Sequence, residues 1–153
     1  MKQRFWPIIL IFARLFLGGV FAYAGFMKLT EPAANFQAVL EQYTLIPNAL
    51  IPILARTIPW IEWLGGMFLI VGYMTRVNAF ILALFCLSFI FVLSGSVWSG
   101  EGLKMCGCFG GSGIVLTVRQ AYFLDWINLG IACLIFFERN RLLTLDTFFI
   151  ERE

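Results

Sequence analysis

Four long apolar runs, separated by stretches rich in Gly, Pro and polar side chains, organise the chain. They cover about 6–27, 55–73, 77–98 and 118–137, each near the ~20 residues an α-helix needs to cross a bilayer. Short connections make neighbouring helices antiparallel. The expected fold class is therefore an all-α membrane protein, an antiparallel four-transmembrane-helix bundle forming one domain over 1–153. Two connections are longer, 29–51 and 99–117. In the first, Phe36, Val39, Leu40 and Tyr43 recur at helical spacing among Gln37, Glu41 and Gln42, the pattern of a short amphipathic helix lying on the membrane surface or capping the bundle. Pro47, Pro52 and Pro59 break or kink the entry to the second span, and Tyr73-Met74-Thr75-Arg76 reads as a tight turn. After 137, a charged tail with an apolar patch over 142–150 suits the interface.

Composition reinforces the membrane assignment. Apolar residues make up 61% and charged residues 13% of the 153 positions, against roughly 45–50% and about 25% in soluble domains. A net charge of +2 offers nothing to nucleic acid. The chain has no His, which excludes His-ligated haem, zinc or copper and the usual His general base. Its chemistry falls to thiols, carboxylates, Lys, Arg or a bound cofactor. The first run, at about 20 residues, exceeds the roughly 7–15 of a signal h-region. Despite Ala22-Tyr23-Ala24, it reads as a retained span.

Basic residues near span ends set the orientation. Lys2, Arg4, Arg76, Arg139, Arg141 and Arg152 fall on one side; Lys28, Arg56, Lys104 and Arg119 fall on the other. That bias puts both termini in the cytoplasm and the loops 29–51 and 99–117 in the periplasm of a bacterial inner membrane. Disulfides persist in that compartment.

Charges within a span cost at least ~2.5–3.5 kcal/mol to insert, so each needs a reason. Arg14 on the first span and Glu62 on the second lie roughly 12 and 16 Å deep from the same side, close enough for an ion pair. Asp125 and Asn128 on the fourth span share a face at similar or slightly outer depth. Gly18 and Ala22 follow Arg14 at intervals of four, and Gly66 follows Glu62 likewise, which marks faces for close helix approach. Two readings of Arg14, Glu62, Asp125 and Asn128 stay open. They fix helix register, or they form a proton-transfer or quinone-headgroup site coupled to the thiols. Lys28 reads as a snorkelling anchor.

Of four cysteines, Cys86 and Cys133 sit in apolar runs and read as small, inert hydrophobes. Cys106 and Cys108 lie in the glycine-rich stretch Lys104-Met105-Cys106-Gly107-Cys108-Phe109-Gly110-Gly111, where Lys104 favours a thiolate. A bridge between i and i+2 closes almost no loop and gains little chain entropy; exposed and strained bridges of this kind are exchangeable. A redox-active dithiol, a local structural disulfide and a metal half-site completed by another chain are the three readings.

Arg14-Leu15-Phe16-Leu17-Gly18-Gly19, Ala24-Gly25-Phe26-Met27-Lys28-Leu29, Pro59-Trp60-Ile61-Glu62-Trp63-Leu64-Gly65 and Gly72-Tyr73-Met74-Thr75-Arg76 resemble the first two spans and turn of DoxX-like membrane proteins. Cys106-Gly107-Cys108-Phe109-Gly110 is similar to the signature loop of the MauE, or methylamine-utilisation, branch. The resemblance covers about 14–119. It implies a four-helix inner-membrane protein tied to periplasmic redox, in one branch to maturation of a disulfide-rich methylamine dehydrogenase subunit and in other relatives to quinone reduction. Two positions depart from the pattern. Met105 stands where an acidic residue often precedes the first Cys, and Gln120 follows Arg119 where Asp is usual.

The expected function is membrane-embedded thiol–disulfide exchange. Cys106 and Cys108 act on a periplasmic thioredoxin-like or disulfide-rich partner, and a membrane quinone is the candidate cofactor near Arg14, Glu62, Asp125 and Asn128. The rival is a non-catalytic subunit of a larger membrane complex, with Cys-x-Cys as a staple. A transporter reading lacks an inverted repeat.

Overall fold

The structure, a computed structural model, describes residues 2–43, 45–100, 102–110 and 114–137. The expected tail segment over 142–150 lies outside them. Five helices follow in order: α1 (Lys2–Thr30), α2 (Ala33–Leu40), α3 (Ile51–Val71), α4 (Thr75–Trp98) and α5 (Val118–Phe137). Four of them, all but α2, are long and apolar enough to cross a membrane. The bundle is all-helical, and the four spans coincide with the four apolar runs.

α3 starts upstream of the expected boundary. Pro52 sits in its first turn, where no backbone N–H is required, and the helix continues through Pro59 instead of breaking there. Its other end is set by Gly72 at φ 81°; the amides of Gly72 and Tyr73 both donate to the Phe68 carbonyl at 2.9 and 3.0 Å. Glycine reaches this left-handed conformation without a Cβ penalty. Asn78 Nδ2 then donates to the Tyr73 carbonyl at 2.8 Å, tying down the tight turn into α4.

Two helix pairs make up the bundle, α1 against α3 and α4 against α5. Small residues set the first contact. A Cβ on Gly66 would collide with the Ala22 backbone, and one on Gly25 with the Trp63 backbone. Gly18, Ala22 and Gly66 thus meet, as their spacing predicts. The two pairs close on a core of Leu17, Phe21, Leu69, Leu82, Cys86 and Ile135.

α2 is the expected short helix, ending sooner than its apolar pattern. The amides of Gln42 and Tyr43 bond to the carbonyls of Val39 and Leu40 at 3.2 and 3.1 Å, i→i−3 links that tighten the last turn. Phe36 and Leu40 are buried against Ile51, Ala55 and Ile58 of α3. α2 is therefore a lid on the end of the bundle that carries the cysteine loop.

Candidate functional site

The cysteine loop is a folded plug. Met105 and Thr117 form an antiparallel bridge. The Cys106 amide donates to the Leu116 carbonyl at 2.8 Å, and the Val118 amide donates to the Lys104 carbonyl at 2.9 Å. These bonds seat Cys106 beside Leu93, Val118 and Ala121. Cys106 and Cys108 are disulfide-bonded, with Cα atoms 5.2 Å apart. Gly107 between them has φ 63°, and a Cβ there would lie 2.7 Å from Val39 Cγ2. Glycine is thus required both by the backbone and by the approach of α2.

The exposed loop expected from sequence is corrected here. Cys106 is 1% exposed and Cys108 is half-buried, because α2 and the turn after it fold over the pair. Lys104, by contrast, points to the surface. The Tyr43 hydroxyl donates to the Cys106 carbonyl at 3.2 Å and stands 3.9 Å from Cys106 Sγ. Burial pushes the Tyr43 phenol up to about 12, so it remains a neutral donor across the ordinary pH range. Among the described residues no group of three or more Cys, Asp or Glu is arranged to hold a metal ion. Cys86 and Cys133 are free thiols, as their apolar settings predict.

The expected Arg14–Glu62 pair does not form. Arg14 Nε and Nη2 donate to the Leu69 carbonyl at 3.3 and 3.4 Å, and Nη2 also reaches that of Ile70 at 3.4 Å. Glu62 instead holds Lys28, whose Nζ donates to Oε1 at 2.9 Å and to Oε2 at 2.7 Å. The register explains the exchange of partners. Gly18 and Ala22 opposite Gly66 place the end of α3 level with Arg14, so α1 overhangs α3. Glu62 then lies roughly 15 Å along the bundle from Arg14. Arg14 meets the unpaired carbonyls of the last turn of α3, where a cation is favoured.

Lys28 was read as an anchor and is a buried site residue, 3% exposed. Besides its two bonds to Glu62, its ammonium lies 4.9 Å from the Phe36 ring centroid and 5.7 Å from that of Phe89, within cation–π range. The signal for it was present in the sequence. Lys28 extends the stripe Gly18, Ala22, Gly25 by a further three residues and so shares the face turned toward α3.

Glu62 and Lys28 meet Asp125, Asn128 and Cys108 around a small cavity of about 30 Å³. Three of the four polar residues named from sequence thus come together, and Arg14 does not. Asn128 is 1% exposed, and its Oδ1 has no hydrogen-bond partner among the described residues. The cavity is wide enough for a water and far too small for a ring. The disulfide also borders a second cavity, of about 200 Å³, between α2, α3 and α4.

Comparison with known proteins agrees with this frame. A curated relative, "Methylamine utilization protein MauE" of Methylophilus methylotrophus, is 30% identical over 102 residues, 67% of this chain and 53% of that protein. The matched stretch thus spans about half the relative's length. No solved structure matches. The family model for methylamine utilisation protein MauE matches residues 6–138, the four spans and the cysteine loop together: this multi-pass membrane protein belongs to the MauE family.

Proposed function

We propose that this chain is a membrane-embedded thiol–disulfide carrier serving methylamine utilisation, with Cys106 and Cys108 alternating between disulfide and dithiol. It lies in a bacterial inner membrane with both termini cytoplasmic and the cysteine loop periplasmic, as the basic-residue bias favours. Its partner is a thioredoxin-like or disulfide-rich periplasmic protein. The observation that carries this reading is the position of Cys108, in the wall of both the polar cavity and the apolar one.

The exposures order the steps. A partner thiolate attacks the half-buried Cys108 Sγ, forming a mixed disulfide and releasing Cys106 as thiolate, with the Tyr43 hydroxyl in reach to donate to it. A second partner thiolate then attacks the partner sulfur of the mixed disulfide. The partner's disulfide closes and Cys108 leaves as thiolate. Two electrons have moved from the partner to the pair. Lys28, Glu62, Asp125 and Asn128 form the proton site beside Cys108, with Asp125 the carboxylate that exchanges protons with its thiol.

The burial of Cys106 favours a second reading, a structural staple in an accessory subunit. Thiol trapping in intact cells separates the two. Exchange predicts a pair that becomes alkylatable under mild reductant, and a partner captured on Cys108 in Cys106→Ser. A pair that stays fully oxidised under mild reductant, with no captured partner, would overturn the exchange reading.

A further inference from the structure

We propose that the apolar cavity between α2, α3 and α4 is the seat of a quinone ring that takes the electrons of the Cys106–Cys108 dithiol. The inference rests on the thiol-exchange reading and places its electron acceptor. Carriage of electrons through the pair demands an outlet, and none exists among the other thiols: Cys86 and Cys133 are unpaired and stand in the spans. An acceptor touching the disulfide removes the need for a relay.

Four features of the cavity select the ligand. Its volume, about 200 Å³, exceeds the ~150 Å³ of an apolar cavity that stays dry and admits a benzene ring. The lining is aliphatic and aromatic, with Leu54, Ile58, Phe85 and Phe89 among it, and both Cys106 and Cys108 stand in its wall. Tyr43 lines the same cavity, and its hydroxyl, which donates to the Cys106 carbonyl at 3.2 Å, can turn from that bond to donate to a ring carbonyl. Exposed Ser88 lies at its edge, so the opening faces the lipid side of α4, the route for a ring on a long apolar tail. An acyl chain would fit the volume but can accept no electrons.

The chemistry balances. Two S–H bonds of the dithiol break and one S–S bond forms. The two electrons and two protons reduce the quinone, whose carbonyl oxygens become the two hydroxyls of the quinol. This site shares Cys108 and Phe89 with the polar cavity of Glu62, Asp125 and Asn128, but it is not the Arg14, Glu62, Asp125 and Asn128 site that sequence alone had put forward for a quinone.

Two measurements on the full chain in lipid nanodiscs test the site. In the Cys106→Ser, Cys108→Ser protein, which has no redox chemistry, an azido-quinone is photolysed and its attachment points are mapped by mass spectrometry. Attachment to residues of α2, α3 and α4 that line the cavity, competed by the unmodified quinone, is expected. Attachment to α1 or α5, or attachment that competition does not remove, overturns the site. In the reduced protein with native cysteines, quinol formation is followed by absorbance, alongside exchange with a small water-soluble disulfide. Leu54→Trp, or Ser88→Phe at the opening if the first variant fails to fold, should lower the ratio of the quinone rate to the disulfide rate by roughly tenfold or more. An unchanged ratio overturns the inference. If the native pair exchanges with the soluble disulfide but leaves quinone unreduced, the quinone site falls and thiol exchange stands. If it reacts with neither, thiol exchange itself falls.

Discussion

α3 has two seams, and they differ in kind. Toward α1 it presents Pro59, Glu62 and Gly66, and the backbones meet so closely that a single added Cβ on Gly66 would strike Ala22. Toward α4, near its first turns, it presents Leu54 and Ile58, and these large side chains hold the helices apart around a cavity of about 200 Å³. Without a hydrophobic driving force between helices in lipid, close packing and internal polar bonds hold the first seam. The second is held by the lid α2 and by the cysteine plug. The closed seam makes a rigid frame with the Lys28–Glu62 pair inside it. The open seam leaves room for a ligand beside the sulfurs. The disulfide sits where the two meet.

The sharpest way to break this contrast is to strip the closed seam of its charge balance. Lys28→Met leaves Glu62 buried without its cation, and such a loss should cost about 3–5 kcal/mol, read as a collapse of the unfolding midpoint in detergent. Adding Glu62→Met should recover most of that stability, because replacing both members of a buried pair by apolar groups is often neutral. The recovered double variant should still exchange thiols slowly, because its proton site has lost Lys28 and Glu62. Next in size is Gly66→Val, which drives a branched side chain into the Ala22 and Gly18 backbones and should cost about 1–3 kcal/mol or more. Leu54→Met in the open seam should cost less than about 1.5 kcal/mol by the same unfolding assay. Equal losses in the two seams would erase the distinction.

Arg14→Leu comes third. It removes the guanidinium from the last carbonyls of α3 and should cost about 1–2 kcal/mol, with thiol exchange retained, because Arg14 lies far from the disulfide. The smallest effect belongs to Tyr43. Its phenol is raised from near 10 to about 12 by burial, so the folded state favours the neutral form. The stabilisation it contributes is complete below about pH 10 and is lost as pH rises toward about 12. Thermal melts across that window should fall more for the native chain than for Tyr43→Phe. Parallel curves would sever the link between Tyr43 burial and alkaline stability.

Much of the frame was legible in one dimension. Span length and apolar composition are local quantities, and so are the tight turn at Tyr73-Met74-Thr75-Arg76 and the small residues at intervals of four, Gly18 and Ala22 after Arg14 and Gly66 after Glu62. The polar site was legible only in part. Glu62, Asp125 and Asn128 were found because charge and amide are conspicuous in apolar helices. Lys28 was misread because a long side chain near a span end can turn outward to the interface or inward to a partner. Arg14 was assigned to Glu62 because depth counted from estimated span ends ignores the overhang of α1 past α3.

The chain's own pattern determined four membrane-crossing helices, a short amphipathic helix, a glycine-permitted Cys-x-Cys turn and a chemistry without histidine, because each depends on residue type and spacing within a few turns. Partner choice was decided only in three dimensions. The glycine contacts slid α3 along α1, which gave Glu62 to Lys28 and the end of α3 to Arg14. The folding of α2 over the loop buried Cys106 and enclosed an apolar space beside the sulfurs. Register and enclosure are properties of surfaces brought together, and no single helix carries them.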